Sequence, residues 1–173
     1  MRLTRVRLTP VIVAAAMAGT GMIAVAPAAH ADERVCRGTI NAVTVDNLRV
    51  PSGASCTLNG TTVEGNIKVE SNASLAAYRV FVDGNIQSQG HARVLTYDSR
   101  VDGSIQLDQG GAIDLRRNAV NGDIQLFSNR KPGTKAVYHN VVDGNLQCKS
   151  NVPAPVGGGN IVKGNKEDQC RSL

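Results

Sequence analysis

The sequence predicts an all-β protein: a single-domain parallel β-helix (β-solenoid) of about six coils with a disulfide at each end. Three observations lead to this fold class: a repeated phrase, a two-residue alternation of apolar side chains and the spacing of the cysteines. The phrase begins at Val63, Val82, Val101, Val120 and Val142, and its successive intervals are 19, 19, 19 and 22 residues. Such a period is typical of repeat architectures, in which one unit cannot bury its apolar face alone.

Apolar side chains alternate with polar ones between the repeated phrases. Leu75 and Ala77, for example, are followed one period later by Val94 and Thr96. Alternation over short runs bounded by Gly, Asn and Asp predicts strands and turns rather than helices. Two or three short strands per period make one coil of a parallel β-helix. We expect a right-handed coil, because the hexapeptide phasing of left-handed β-helices is absent.

Stacking of the coils predicts columns of equivalent residues. The inward columns are Val63, Val82, Val101, Val120 and Val142; Ile67, Ile86, Ile105, Ile124 and Leu146; and Val69, Leu107, Leu126 and Cys148. The glycines between the first two columns are expected to turn the chain with a positive φ. The residues that follow them form a polar column able to hydrogen-bond from coil to coil at a spacing of about 4.8 Å. This polar column consists of Asn66, Asn85, Ser104, Asp123, Asn145 and Asn165.

The four cysteines are separated in pairs by one period. Cys36 and Cys56 are 20 residues apart, and Cys148 and Cys170 are 22 apart. One period along the chain is one coil along the stack, about 4.8 Å, which lies within the Cα–Cα range of a disulfide. We therefore predict the bridges Cys36–Cys56 and Cys148–Cys170 at the two ends. A zinc site is the competing interpretation, but no CxxC pair or accompanying histidine supports it.

The chain divides into a secretory signal peptide, residues 1–31, and a β-helix domain, residues 32–173. A basic start, an apolar run and an Ala-x-Ala site before Asp32 indicate the signal peptide. The domain comprises an N-terminal coil and cap (36–62), the regular repeats (63–148) and a C-terminal cap (149–173). Within the cap, the Pro- and Gly-rich segment 151–160 is expected to fold over the open end of the stack. The insertion at 130–134 is expected to bulge out as a surface loop.

Removal of the signal peptide changes the charge of the protein. Without Arg2, Arg5 and Arg7 the chain holds 16 basic and 14 acidic residues, a net charge of +2 instead of +5. A nucleic-acid partner is not expected, because it needs clustered Lys and Arg. The apolar run is interrupted at residues 19–21, whereas a membrane span needs about 20 apolar residues. We expect a secreted protein with no membrane span in the mature chain.

The sequence predicts no catalytic residues, no cofactor and no metal, so the protein is not expected to be an enzyme. The mature chain has two histidines, His91 and His139, and His139 shares a charged column with Arg79, Asp98 and Arg117. No G-x-S-x-G, Walker or H-E-x-x-H motif is present. The outward column Glu64, Asp83, Asp102, Asn121 and Asp143 leaves calcium open as an alternative, since hard cations prefer such oxygens.

The candidate binding face is the outward column Tyr78, Tyr97, Arg116 and Tyr138. Stacked tyrosines on a flat face can hold sugar rings or a partner protein, since tyrosine combines apolar area with a hydroxyl group. Arg116 within the row can add a cation–π contact. The alternative is a cross-strand ladder that only stabilises the sheet. The outward glutamines Gln87, Gln106, Gln125 and Gln147 are interpreted as a structural amide ladder.

The repeats, with the end segments 144–148 and 157–170, resemble a family of small secreted proteins from actinobacteria. The resemblance covers nearly all of the mature chain and implies secretion but no particular activity. The coil pattern is also similar to that of bactofilins, β-helices of bacterial cells that polymerise through their coil ends. That similarity implies self-assembly, although here both ends are predicted to be capped.

These observations favour a non-catalytic structural or binding module of the cell envelope. Its flat face is expected to contact cell-wall polysaccharide or an extracellular protein. One alternative is a self-assembling scaffold of the bactofilin kind. The other is a β-helix carbohydrate-active enzyme, which shares only the fold and needs clustered carboxylates in a groove.

Overall fold

The computed structural model describes residues 32–173, which form one stack of parallel strands. Three sheets run along the stack, with eight, seven and seven strands. The predicted all-β parallel β-helix is therefore confirmed, with about seven turns. The additional turn arises because residues 33–45 already form three short strands. The predicted signal peptide lies outside the described residues, and no helix among those residues is long and apolar enough to cross a membrane.

The strands are, in chain order, β1 (Glu33–Val35), β2 (Gly38–Ile40), β3 (Thr44–Val45), β4 (Asn47–Val50), β5 (Ser55–Asn59), β6 (Thr62–Val63), β7 (Ile67–Val69), β8 (Ser74–Tyr78), β9 (Phe81–Val82), β10 (Ile86–Gln89), β11 (Arg93–Tyr97), β12 (Arg100–Val101), β13 (Ile105–Asp108), β14 (Ala112–Arg116), β15 (Ala119–Val120), β16 (Ile124–Phe127), β17 (Lys135–Tyr138), β18 (Val141–Val142), β19 (Leu146–Lys149), β20 (Val156–Gly158), β21 (Ile161–Val162) and β22 (Lys166–Asp168). Every third strand belongs to the same sheet. The first sheet starts at β1, the second at β2 and the third at β3, so three consecutive strands make one turn.

The strand register confirms the predicted inward columns. Val82 pairs with Val63 on one side and Val101 on the other, and all three are fully buried. The isoleucine column is equally buried and in register. The third column contains a polar member, Ser88, whose hydroxyl donates to the Val69 carbonyl at 2.8 Å. Aliphatic side chains thus fill a narrow core along the whole stack.

The repeated glycines serve close packing of the turns, not a positive φ. None of Gly65, Gly84, Gly103, Gly122, Gly144 and Gly164 has a positive φ, so that expectation is wrong. A Cβ on Gly103 would lie 2.5 Å from Asn85 Oδ1 and 2.6 Å from the Gly84 carbonyl oxygen. Glycine is needed because adjacent turns approach each other too closely at this corner for any side chain.

The predicted polar column is confirmed at the corner between the third and first sheets. Each side-chain oxygen accepts a hydrogen bond from the backbone N–H of the equivalent residue one turn later. The N–H of Asn85 donates to Asn66 Oδ1 at 2.9 Å, and that of Ser104 donates to Asn85 Oδ1 at 2.8 Å. The same bond recurs along the stack, ending with the N–H of Asn165 on Asn145 Oδ1 at 2.9 Å. This exposed ladder satisfies the backbone N–H groups at the corner, which are not paired by strand hydrogen bonds.

A second amide ladder lies buried at the corner between the second and third sheets. It is formed by Asn118, Asn140 and Asn160, which are at most 5% exposed. Asn118 N–H donates to Asn140 Oδ1, and Asn140 N–H donates to Asn160 Oδ1, both at 3.0 Å. Each Nδ2 also donates to a backbone carbonyl one turn earlier, such as Leu115 O from Asn140 at 3.0 Å. Sequence analysis did not predict this ladder.

A third ladder closes the remaining corner, between the first and second sheets. Asn129 and Asn151 are buried there, and Asn129 N–H donates to Asn151 Oδ1 at 3.1 Å. The ladder ends at Gln169, whose Oε1 accepts from Asn151 N–H at 2.8 Å. The preceding residues Ser128, Ser150 and Asp168 have φ between 51° and 61°. Their left-handed conformation turns the chain, and the amides replace the strand hydrogen bonds that this turn interrupts.

Both predicted disulfides are confirmed. The Cα–Cα distance is 5.6 Å for Cys36–Cys56 and 5.2 Å for Cys148–Cys170. The bridges are nevertheless not between directly paired residues, since Cys56 pairs with Gly38 and Cys148 pairs with Asp168. The second cysteine of each bridge lies two residues along the chain from that paired residue: Cys36 precedes Gly38, and Cys170 follows Asp168. It is at the neighbouring corner, where its side chain turns towards the core. All four cysteines are buried, and together with Leu173 they close the ends of the core.

The Pro- and Gly-rich segment 151–160 does not fold over the open end, contrary to the expectation. Its residues 156–158 form β20, which continues the second sheet by pairing with β17. Gly157 permits this pairing, because a Cβ there would lie 1.8 Å from the Val137 carbonyl oxygen. The end is closed instead by residues 169–173, whose last residue, Leu173, is 6% exposed and belongs to the core.

The insertion at 130–134 is a surface loop, as predicted, and two lysines anchor it. Lys131 Nζ donates to the Gly90 carbonyl, two turns earlier, at 2.5 Å and to Asn72 Oδ1, three turns earlier, at 2.8 Å. Lys135 occupies an inward position and is fully buried. Its Nζ donates to three backbone carbonyls at 2.7 to 2.9 Å, so its three donors are satisfied. Burial lowers the pKa of Lys135.

Candidate functional site

The tyrosine row of Tyr78, Tyr97, Arg116 and Tyr138 lies on the outer surface of the second sheet. Strand pairing places each residue directly beside the next, in the predicted order. The rings of Tyr78 and Tyr97 meet edge to face, with centroids 5.6 Å apart. Arg116 Cζ lies 5.9 Å from the Tyr97 centroid and 5.1 Å from the Tyr138 centroid. The structure therefore brings together all four residues of the predicted face.

Asp114 holds the centre of this row in place. Its Oδ1 accepts a hydrogen bond from Arg116 Nε at 2.6 Å, and its Oδ2 accepts one from the Tyr97 hydroxyl. Partial burial and the bond to Asp114 raise the pKa of Tyr97, and the same carboxylate raises the pKa of Arg116. Tyr97 therefore stays neutral and Arg116 stays charged at ordinary pH. Sequence analysis missed Asp114, although its place two residues before Arg116 on the same strand face was a usable signal.

The row offers three half-exposed phenol rings and one guanidinium on a rigid support. Each ring is already held by a neighbouring side chain, so a ligand would order few further rotamers on binding. Aromatic faces suit the apolar face of a sugar ring, while the hydroxyl groups and the guanidinium can bond to its oxygens. The row therefore has the chemistry of a non-covalent recognition surface.

Two carboxylates of the acidic column, Asp102 and Asp143, are paired with neighbouring side chains. Asp102 Oδ1 lies 2.7 Å from an Arg100 nitrogen and accepts a hydrogen bond from Asn121 at 2.9 Å. Asp143 forms an ion pair of 2.9 Å with Lys163. Within residues 32–173, no group of three His, Cys, Asp or Glu side chains is arranged to hold a metal ion. The calcium alternative consequently gains no geometric support from this face.

The two histidines lie apart and in different environments. His139 is exposed at a corner, with a φ of 55°, beside the Tyr138 ring. In the same column, Arg117 forms a bidentate ion pair with Asp98, at 2.6 and 2.9 Å. His91 is fully buried, and its Nδ1 lies 3.1 Å from Ser88 Oγ. Gly110 makes room for its ring, because a Cβ there would lie 2.0 Å from His91 Cε1.

His91 makes the stability of the fold depend on pH. Burial, and then the charges of Lys131 and Lys135, lower its pKa from 6.5 to about 4. Because the folded protein disfavours the charged ring, stability is complete above the unfolded pKa and is lost as the pH falls from about 6.5 towards 4. The loss attributable to His91 is expected to reach about 3 kcal/mol.

Urea unfolding of the wild type and of His91→Phe at a series of pH values measures this contribution. The phenylalanine variant retains a ring over Gly110 but cannot be protonated, so its stability is expected to fall less across this window. The carboxylates titrate in both proteins and cancel in the comparison. Parallel loss of stability in the two proteins would contradict the assignment to His91.

No family model matches the chain, and neither a curated protein nor a solved structure matches it. The comparisons therefore add nothing to the resemblance to small secreted proteins and to bactofilins. What the structure supports of that resemblance is a β-solenoid with a disulfide near its C-terminus.

Proposed function

We propose that this protein is a secreted, non-catalytic binding module of the cell envelope that holds cell-wall polysaccharide on its tyrosine row. The observation that carries the proposal is the continuous contact from Tyr78 through Tyr97 and Arg116 to Tyr138 on a flat, rigid sheet. A linear polysaccharide can lie along such a row and contact several aromatic rings at once. Each contact alone is weak, but contacts on one chain add through effective concentration.

The two disulfides support an extracellular location. Such bonds persist in oxidising compartments and are rare in the cytosol. The predicted signal peptide and the resemblance to small secreted actinobacterial proteins agree with export.

A non-catalytic role is supported by the state of the carboxylates near the row. Asp114 bonds to both Tyr97 and Arg116, so both of its oxygens are engaged within the row. Glycoside hydrolysis ordinarily requires two carboxylates on opposite sides of the scissile bond. The enzyme alternative predicts turnover that Asp102→Ala or Asp114→Ala abolishes, whereas the binding proposal predicts none.

Replacing Tyr97 by alanine is expected to weaken binding to insoluble cell-wall polysaccharide by about tenfold or more, because central aromatic side chains dominate such contacts. Tyr97→Phe keeps the ring and loses only the bond to Asp114, so a smaller loss is expected. Co-sedimentation over a range of polysaccharide concentrations measures both.

Phe81→Ala is the matched control, because Phe81 is a half-buried aromatic residue on the third sheet. It is expected to bind as the wild type does. Unchanged binding by Tyr97→Ala, with all proteins folded by circular dichroism, would exclude the tyrosine row as the binding surface. Sedimentation with cell-wall protein but not with purified polysaccharide would identify a protein partner instead.

Self-assembly through the ends of the stack is a second candidate function. Six large aliphatic side chains among the described residues are exposed, and five of them lie in the first or last turn: Val35, Val43, Val152, Val156 and Ile161. The outermost strands of each sheet also have unpaired backbone groups on one side. Apolar contact and strand pairing could join the end of one molecule to the end of another.

Light scattering over a hundredfold range of protein concentration tests this candidate. Assembly through the ends predicts a mass that rises with concentration and that Ile161→Lys returns to the monomer. Val141→Lys is the control, because Val141 is exposed one turn further from the end. A constant monomer mass for the wild type would eliminate this candidate.

A further inference from the structure

The outer surface of the first sheet forms a groove of about 750 Å³, separate from the tyrosine row. Two parallel columns of side chains line most of it. One column contains Gln87, Gln106 and Gln125, and the other contains Gln89, Asp108 and Phe127. Lys68 and Glu70 stand at one end. The groove therefore runs along the axis of the stack over about four turns.

The glutamine column is a directed chain of hydrogen bonds. Gln87 Nε2 donates to Gln106 Oε1 at 2.7 Å, and Gln106 Nε2 donates to Gln125 Oε1 at 3.2 Å. The chain continues from Gln125 to Gln147 at 3.0 Å and ends on the Glu167 carboxylate at 2.9 Å. These bonds fix the amide planes, so the side chains have already lost the rotamer freedom that ligand binding would otherwise cost.

The amides retain capacity for a ligand. A primary amide has two N–H donors and an oxygen with two lone pairs. In the chain, Gln87 and Gln106 each use one N–H, and the Gln106 oxygen accepts one bond. Each therefore presents a spare donor beside a spare acceptor, repeated every turn at about 4.8 Å. Neighbouring hydroxyl groups of a sugar ring require this paired donor and acceptor.

The second column supplies an apolar contact. Phe127 follows Asp108 by one turn in this column and is only partly buried. An aromatic ring beside a row of amides is suited to the apolar face of a pyranose ring. The charged side chains that line the groove are Lys68, Glu70 and Asp108, a net charge of −1. This balance disfavours polyanions such as nucleic acids and acidic polysaccharides.

We propose that this groove binds a neutral, extended polysaccharide that lies along the stack with about one sugar unit per turn. An extended peptide fits less well, because peptides add to sheet edges through free backbone groups. The floor of the groove is a sheet face whose backbone groups are paired within the sheet. This site is independent of the tyrosine row, which lies on the second sheet, and a protein with both surfaces could join two polysaccharide strands.

Isothermal titration with β-1,4-linked hexasaccharides of glucose, mannose and N-acetylglucosamine tests the proposal on the purified protein with both disulfides formed. At least one of them is expected to bind saturably, and the hexasaccharide of galacturonic acid is expected to bind at least about tenfold more weakly. Gln106→Leu and Phe127→Ala are each expected to weaken binding of the neutral hexasaccharide by about tenfold or more.

Asn121→Leu is the matched control, because the Asn121 amide also donates to a neighbouring turn, to Asp102 Oδ1 at 2.9 Å, but follows a strand of the third sheet and does not line the groove. This variant loses the same kind of amide hydrogen bond as Gln106→Leu, but outside the groove. Its affinity for the neutral hexasaccharide is therefore expected to equal that of the wild type. Tyr97→Ala is likewise expected to leave this affinity unchanged, which separates the groove from the tyrosine row. Thermal unfolding establishes that each variant is folded.

Three results would overturn the proposal. One is no saturable binding of any of the three neutral hexasaccharides. Another is binding that survives both Gln106→Leu and Phe127→Ala. The last is preference for the galacturonic acid hexasaccharide. Such a result would not contradict the proposal for the tyrosine row, because that proposal is tested separately by the binding of Tyr97→Ala to insoluble polysaccharide.

Discussion

Replacing Asn140 by alanine is expected to lower the free energy of unfolding by about 3 to 5 kcal/mol, since it leaves buried groups unsatisfied and opens a cavity. Asn140 is fully buried, and its side chain makes four hydrogen bonds. Its oxygen accepts from both the backbone N–H and the Nδ2 of Asn118, and its Nδ2 donates to Leu115 O and Asn160 Oδ1. Asn118 is itself only 1% exposed, so its N–H loses its partner in the interior of the protein.

Asn85→Ala is the control for this substitution. Asn85 belongs to the exposed ladder, where its oxygen accepts from Ser104 N–H at 2.8 Å and its Nδ2 donates to Asn66 at 3.1 Å. Water can replace these bonds, so a loss of only about 1 kcal/mol is expected. Urea unfolding of the two variants gives the comparison. Equal losses would mean that burial of the second ladder does not determine its contribution.

Removing the C-terminal disulfide with the double substitution Cys148→Ser and Cys170→Ser is expected to cost about 3 kcal/mol, the value for a loop of this length. The bridge joins residues 22 apart and fastens the last turn to the one before it. The last turn has a neighbour on one side only, and terminal units of repeat proteins are the first to fray. Loss of structure is therefore expected to begin in β20–β22.

Amide hydrogen exchange locates this loss. In the double serine variant, protection is expected to fall in β20–β22 and in the Leu173 region while the central strands β7–β13 keep theirs. The corresponding substitutions at Cys36 and Cys56 are the control, since they should expose β1–β3 instead. Uniform loss of protection along the stack would show that the solenoid unfolds as one cooperative unit and that the bridge does not act locally.

These effects matter for binding because both proposed surfaces depend on a rigid stack. The tyrosine row and the glutamine groove each take one side chain from each of several consecutive turns. A shift of one turn would separate Tyr97 from Arg116 and break the amide chain between Gln87 and Gln106. The buried ladders at two corners and the bridges at both ends hold the turns in register, and so they position both surfaces.

The period of the sequence was sufficient to predict most of the architecture. Equivalent residues such as Val82 and Val101 stack because an interval of 19 residues returns the chain to the same place on the next turn. The same reasoning placed the tyrosine row and paired the four cysteines. It succeeded because a solenoid converts separation along the chain directly into position along one axis.

Contacts made at the corners were decided only by the tertiary structure. The repeated glycines were assigned a positive φ, whereas the structure shows that they allow close approach of adjacent turns, which depends on the distance between backbones. The buried Asn140 ladder was missed for a related reason. At the corners the chain leaves the two-residue alternation through left-handed residues, so the direction of a side chain no longer follows from its place in the sequence.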